Sequence, residues 1–414
     1  MQNKLYQTIK NYAQSNPIRF HMPSHNGENL GITTQMDITE LSFSDNLIES
    51  DGVIANTEKN IAKAYNSKYA LMLTNGATCG VAIALFTAKN YGSKLLIVGD
   101  AHKSVYNYAN IFNFEIFVTQ TTNDINPNDY NCIVITSPNY FGNVTDINNL
   151  KNTTAIVIVD ASHGSHFPFN DNLPDLNTKI ADITILSFHK TLPILTGGAG
   201  IITNDAKLYD MLVFARSLLH SSSPNYLTMA SIDNAICEFY NNGQTLYDTC
   251  IHEIENFKKT ICSRYIVLES DDITRLCICA KDLDASIIAK ELEKKNIFIE
   301  MTYYDSLVTI VTPYNCKYLQ TLAKALNSIV TYKKCERFDI KNLAKIEVKN
   351  KKVTFLDLKI CDNKVCAGNI GIYPPGTPIL KIGDLITEDI IQFLYTTKAE
   401  IFGLVNGKVP VYEQ

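Results

Sequence analysis

Lys190 stands in Ser187-Phe-His-Lys-Thr-Leu-Pro193, directly after the short apolar run Ile183–Leu186. An amine held against buried apolar strands loses hydration, its pKa falls, and it becomes a nucleophile. A solvated surface lysine is the competing reading. Asp160 closes the apolar run Ala155–Val159 and is followed by Ala161, Ser162 and His163. A carboxylate there is costly unless a cation or a protonated ring nitrogen pairs with it; capping the next turn is the alternative. Asn75-Gly-Ala-Thr78 follows the run Tyr69–Thr74 and opens a helical stretch. Backbone N–H groups at such a helix start close on a phosphate, although an ordinary strand-to-helix turn reads the same way. His102 lies in Gly99-Asp-Ala-His-Lys-Ser104, after Lys94–Val98. Its imidazole suits stacking on a flat aromatic ligand, or a purely structural role.

Each group alone is ambiguous, but their order along the chain is informative. A phosphate turn, a stacking imidazole, a buried acid and an amine follow apolar runs in that order. Pyridoxal phosphate (PLP) requires this set: a lysine for the Schiff base, an acid to keep the pyridine nitrogen protonated, and a helix start for the phosphate. Ser187 and His189 beside the lysine add a phosphate donor and an acid–base group.

These groups need a scaffold, and the pattern supplies one. Ile54–Tyr65 and Gly76–Ala88 read as helices; Tyr69–Thr74, Lys94–Val98, Glu115–Val118, Cys132–Ile135, Ala155–Val159 and Ile183–Leu186 read as strands. Thr196-Gly-Gly-Ala-Gly200 reads as a loop. The alternation predicts an α/β fold with a mostly parallel central sheet covered by helices. Ligands then bind beyond the carboxyl ends of the strands. Beyond about residue 245 the pattern weakens. Ala285–Lys295 reads as a helix, Ile346–Val348 with Val353–Leu356 as a hairpin, and Tyr373-Pro-Pro-Gly-Thr-Pro378 as a rigid turn. The expected division is an arm over 1–45, a large cofactor domain over 46–245, and a smaller α+β part over 246–414.

Composition removes other classes. A chain of 414 residues suggests two or three domains and a substantial core. The net charge of −5 leaves no basic footprint for nucleic acid, and Lys349-Asn-Lys-Lys352 reads as a solvated turn. No apolar run reaches membrane-helix length, and Met1–Asn16 has no apolar signal core. The 11 cysteines lack paired CxxC spacing, so no metal site is expected, and they read as reduced thiols of a cytoplasmic protein.

Several motifs together resemble the ornithine/lysine/arginine decarboxylase family, the fold-type-I PLP-dependent basic amino-acid decarboxylases. Phe20-His-Met-Pro-Ser-His-Asn-Gly27 is similar to the family's FHMPGHKG arm. Asp37-Ile-Thr-Glu-Leu41, with Asp51-Gly-Val-Ile54, resembles DLTEL and EGVI. His102-Lys-Ser-Val-Tyr106 is similar to HKSVY, and Ser137-Pro-Asn-Tyr-Phe-Gly142 to SPTYxG. Val159-Asp-Ala-Ser-His-Gly-Ser-His-Phe167 resembles VDEAHGAHF, and Ser187–Pro193 resembles SxHKTLP, the most specific of the set. Ser222-Ser-Pro-Asn-Tyr226 and Tyr373–Pro378 are similar to TSPSY and YPPGIP.

The resemblance implies the fold-type-I transferase fold and decarboxylation of a basic amino acid (arginine, lysine or ornithine) through an external aldimine and a quinonoid, in the setting of polyamine biosynthesis. It implies that Lys190 holds PLP, Asp160 pairs with the pyridine nitrogen, and His102 stacks on the ring. Ala77, Thr78, Ser187 and His189 would contact the phosphate or adjoining groups, His163 would support Asp160 or the ring oxygen, and Lys190 or His189 would protonate Cα. Members are dimers with shared sites, so Ser222 and the arm residues His21–Asn26 would serve the partner's site. Ser24, Asn26, Ala161 and Gly368 depart from the family, whose residues there are glycine, lysine, glutamate and glutamate. Apart from the resemblance, Arg216 and Arg275 could bind the substrate carboxylate or simply cover the surface, and Arg216, near the Ser222 segment, is ranked ahead. Transamination or retro-aldol cleavage on the same scaffold, and a PLP-binding subunit without turnover, remain the alternatives.

Overall fold

The computed structural model describes residues 10–123, 125–330, 333–335, 352–373, 376–397 and 400–413. The chain divides into two compact units, Met1–Gly99 with Glu115–Cys335, and Asp100–Phe114 with Glu336–Gln414.

The first unit is built on a seven-stranded sheet. Its strands in chain order, after β1 (Ile18–Phe20), are β2 (Tyr69–Leu73), β3 (Lys94–Val98), β4 (Glu115–Thr119), β5 (Cys132–Thr136), β6 (Ile156–Asp160), β7 (Ile183–Leu186) and β8 (Ala199–Thr203). Their spatial order is β2-β8-β7-β6-β5-β3-β4. The pairings from β7 through β6, β5 and β3 to β4 are parallel, whereas β8 runs antiparallel to both β7 and β2. The mostly parallel sheet is therefore as expected, with one correction. Ala199 and Gly200, read from sequence as loop, open β8. Every residue of β6, β7 and β8 is buried, which is why these runs do not alternate and are apolar apart from Thr184, Thr203 and the terminal Asp160.

The helix Gly76–Ala88 is apolar around most of its circumference and is largely buried. Gly80 lets it close on the sheet, since a Cβ there would lie 3.0 Å from Ile185. The helix Tyr226–Thr260 buries Ile232, Ile236, Phe239, Tyr247, Ile254 and Phe257 at helical spacing, in the same core as Val157 and Val159.

A smaller antiparallel sheet completes this unit. After β9 (Ile266–Leu268), β10 (Arg275–Cys279), β11 (Ile297–Ile299), β12 (Met301–Tyr303) and β13 (Ser306–Ile310), the order is β12-β13-β10-β9. The N-terminal segment joins this unit through β1, which forms a separate two-stranded parallel sheet with β11, Phe20 opposite Ile299.

In the second unit β14 (Val353–Asp357) pairs with the last strand, Lys408–Tyr412. Of the expected hairpin, Ile346–Val348 lies outside the described residues, and Val353–Leu356 takes that C-terminal partner. Lys349–Lys351 and Pro374–Pro375 also lie outside them. Leu358, Ile370, Leu380, Ile386, Ile390 and Leu394 form this unit's own core.

Candidate active site

The lysine turn is fixed from below and from the side. Phe188 is fully buried, and its ring lies where a Cβ on Gly200 would come within 2.7 Å. With Phe188 pinned, the turn Phe188–Thr191 presents His189 and Lys190, both half-buried. The arm holds the same turn: Ser24 donates from its backbone N–H to the His189 carbonyl at 3.1 Å and from its hydroxyl to the Lys190 carbonyl. Ser24 is itself buried. The substitution of the family's glycine by Ser24 thus adds a bond to the backbone of the reactive residue.

Asp160 ends β6 one strand away and is buried. Ser162 donates to its Oδ1 twice, from the backbone at 3.1 Å and the hydroxyl at 2.5 Å. Ala161, in place of the family's glutamate, is fully buried. The buried His163 brings Nε2 to 3.1 Å from Lys190 Nζ. Lys190 is pushed below the ordinary lysine range, first by loss of hydration and then by Arg275; Asp160 and Glu300 oppose that shift. His189 donates from Nδ1 to the Gly198 carbonyl at 3.1 Å. Burial drives its pKa down to about 4, with the neighbouring lysine acting in the same direction.

The glycine-rich segment also fixes the expected phosphate turn. Gly76 takes φ +74° and donates its N–H to the Gly197 carbonyl at 2.8 Å. Gly197 itself, at φ +96°, sits where a Cβ would strike the Thr74 carbonyl at 2.7 Å. With Gly76 engaged, Ala77 (half-exposed) and Thr78 (exposed) are left at an open helix start. One segment therefore carries contacts to both the lysine turn and the phosphate turn.

The structure gathers Lys190, His189, Ser187, Asp160 and His163 at the carboxyl ends of β6 and β7, and joins Ala77 and Thr78 to them through Gly197 and Gly198. His102 belongs to the second unit, where its Nδ1 accepts from the Ser104 N–H at 3.2 Å and caps the helix Lys103–Ile111. Ser222 is exposed in the segment before the helix Tyr226–Thr260.

Arg216 is a correction. It is buried and donates to Glu58 Oε1 at 2.5 Å, and Glu58 also accepts from the Met72 N–H at 2.9 Å. A guanidinium committed to a buried carboxylate beside the edge strand β2 is structural. Arg275 lies at the site instead. Its Nη2 is 3.3 Å from His163 Nδ1, and its Cζ lies 5.9 Å from the Tyr140 ring centre.

Glu300 was not singled out from sequence. It accepts from the Tyr140 hydroxyl and, at 2.9 Å, from the Met22 N–H, and it acts electrostatically on Lys190. The available signal was an acid interrupting Ile297-Phe-Ile-Glu-Met301. Gly368, where the family carries glutamate, sits where a Cβ would lie 2.7 Å from the Pro410 ring.

The donor set fits PLP. It offers a depressed amine, a buried carboxylate with Ser162 on one oxygen, and an open helix start. Among the described residues, the buried Thr136 and Thr191 hydroxyls and Nε and Nη1 of Arg275 have no hydrogen-bond partner. Polar groups orphaned in this way fit a site completed by a polar ligand.

Comparisons with known proteins agree with this chemistry. The profile of the Orn/Lys/Arg decarboxylase major domain matches residues 3–114 and 108–282. The Bacillus subtilis (strain 168) protein YaaO, itself uncharacterized, is 25% identical over 455 residues, covering 95% of this chain and 94% of its own. An arginine decarboxylase of the same organism is 23% identical, covering 94% and 92%. The constitutive lysine decarboxylase of E. coli superposes with a TM-score of 0.74 at 15% identity, over 100% of this chain and 82% of its own.

Proposed function

Because the chain belongs to the Orn/Lys/Arg decarboxylase family, with that family's fold-type-I fold and PLP-dependent carboxy-lyase chemistry, we propose that it decarboxylates a basic amino acid: arginine, lysine or ornithine. The observation that carries the reading is the convergence of Lys190, Asp160 and His163 with the acid Glu300. Glu300 supplies, from β11–β12, a carboxylate that the Gly368 position lacks, and a carboxylate is the natural partner of a substrate guanidinium or ammonium.

Lys190 would hold the cofactor, Asp160 would keep its pyridine nitrogen protonated, and Ala77, Thr78, Ser187 and His189 would meet its phosphate. His102 would stack on the ring. When bound, PLP supplies the sink into which the electrons of the Cα–carboxylate bond pass as CO2 leaves. Lys190, whose pKa is lowered by burial, would take a proton from the incoming substrate ammonium and deliver it to Cα in place of the departed CO2. His189 is neutral in the physiological range and its Nδ1 proton is committed to Gly198, so it orients the turn rather than supplying that proton.

We further propose a homodimer with a shared site, in the cytoplasm, serving polyamine biosynthesis. Ser222 and the apolar side chains Met36, Leu41 and Phe43 are exposed on this chain, as residues reserved for a partner would be. Among the described residues, no helix is long and apolar enough to cross a membrane.

The test is a titration with PLP followed by absorbance, for the wild type, Lys190→Ala and Asp160→Asn. A panel of basic, neutral and acidic amino acids is then supplied while CO2 is monitored. A lysine-dependent band with CO2 from a basic amino acid supports the reading. Pyridoxamine phosphate, or an aldehyde without CO2, would move the protein to another PLP reaction. A band without any turnover would leave a binding subunit.

A further inference from the structure

Lys190, His163 and Arg275 stand in a row. Lys190 Nζ is 3.1 Å from His163 Nε2, and His163 Nδ1 is 3.3 Å from Arg275 Nη2. His163 and Arg275 are 5% and 2% exposed, so water competes little for these bonds.

The donor chemistry of the row has one direction. A guanidinium only donates, so Nδ1 of His163 must accept. An imidazole accepting at Nδ1 is neutral and carries its proton on Nε2. That proton points at Lys190 Nζ, which can receive it only through a lone pair. An ammonium in the same place would set N–H against N–H. We propose that Arg275 is a positioning residue that acts through His163: it fixes the Nε2–H tautomer and thereby holds Lys190 as a free amine.

Other charged groups face the same amine. Asp160 from the end of β6 and Glu300 from between β11 and β12 favour the ammonium, while Arg275 on β10 disfavours it directly through space. His189, adjacent in sequence, is held neutral. Two carboxylates would keep Lys190 protonated and unreactive; the row opposes them. It also gives the buried Arg275 cation a partner through Nη2, while Nε and Nη1 are without one among the described residues. The turn Tyr140–Gly142 packs on it, and a Cβ on Gly142 would come within 2.9 Å of the Arg275 Cβ. A role confined to packing would not need the charge.

This inference rests on Lys190 being the reactive amine, and its test needs no turnover. The full chain, freed of cofactor, is methylated reductively with formaldehyde across a pH series. Modification of the Lys190 peptide is quantified by mass spectrometry against surface lysines of the same sample. In the wild type, Lys190 reacts with a midpoint below theirs. Arg275→Met raises that midpoint by about one pH unit, seen as roughly tenfold slower labelling at neutral pH, and Arg275→Lys restores most of it. In a His163→Phe background, Arg275→Met adds less than about a third of that shift, the part due to charge through space.

An unchanged midpoint in Arg275→Met overturns the proposal. So does a full-sized shift in the His163→Phe background, because the charge then acts without the imidazole. If Arg275→Met does not fold, His163→Phe alone must raise the midpoint, and its failure to do so is equally contrary. Absence of decarboxylation would bear on the proposed function and leave these midpoints standing.

Discussion

The hydroxyl of Ser24 donates to the backbone carbonyl of Lys190, across 166 positions of sequence, while the Ser24 N–H holds the carbonyl of His189. The N-terminal arm is thereby part of the frame of the lysine turn. Removing the hydroxyl leaves a buried carbonyl short of a donor, which costs about 1–2 kcal/mol. Ser24→Ala is expected to lower the unfolding midpoint accordingly and to speed loss of PLP. Ser24→Gly keeps the backbone bond and should show the same hydroxyl loss plus a small backbone-entropy cost. Denaturant unfolding with a cofactor-release assay checks both.

Glu300 is predicted to set preference for a cationic side chain. Glu300→Gln keeps the shape and retains a polar partner for Tyr140 but removes the charge. It should raise KM for the preferred basic amino acid about tenfold or more, as expected for loss of a charge-assisted contact, with PLP still bound. Steady-state kinetics alongside the absorbance spectrum separate the two effects; an unchanged KM would contradict this assignment.

His189 gives a pH dependence of defined sign. Its folded-state pKa is depressed from 6.5 to about 4, so the unfolded chain binds a proton that the native chain refuses. The native advantage is intact above 6.5 and is lost as pH falls from 6.5 toward 4. The loss is on the order of 2–4 kcal/mol. In protein freed of cofactor, His189→Gln should flatten the stability curve across that window. Denaturant unfolding at a series of pH values measures it.

Gly368→Glu restores the family's acid but not its geometry. A Cβ at this position meets the Pro410 ring at 2.7 Å, and Pro410 sits in the strand Lys408–Tyr412, which is paired with β14. Overpacking of this kind costs about 1–3 kcal/mol. The variant should melt earlier than the wild type without gaining activity on basic amino acids. A thermal scan and a CO2 assay decide it.

Much of this site was legible in the sequence because its parts lie at strand ends, and continuously apolar strands announce themselves. The strands of the central sheet from Tyr69 to Leu186 fall within a residue or so of their sequence reading. The strand Ala199–Thr203 does not read as a strand, because Gly197, Gly198 and Gly200 look like a loop. Two of those glycines are instead where backbone and aromatic ring approach too closely for a side chain. Sequence ranks Arg216 ahead of Arg275, because the partner that decides against it, Glu58, lies 158 positions from Arg216. Glu300 was hidden for the same reason: its neighbours Tyr140 and Met22 are distant in sequence, and only folding brings them to one acid.

Lysine-dependent decarboxylation of a basic amino acid is tested most directly by the release of labelled CO2 from carboxyl-labelled arginine, lysine and ornithine, measured with PLP for the wild type and Lys190→Ala side by side. It predicts release from at least one of the three by the wild type and none by the variant. Release from none of them, or release that survives the loss of Lys190, would contradict it.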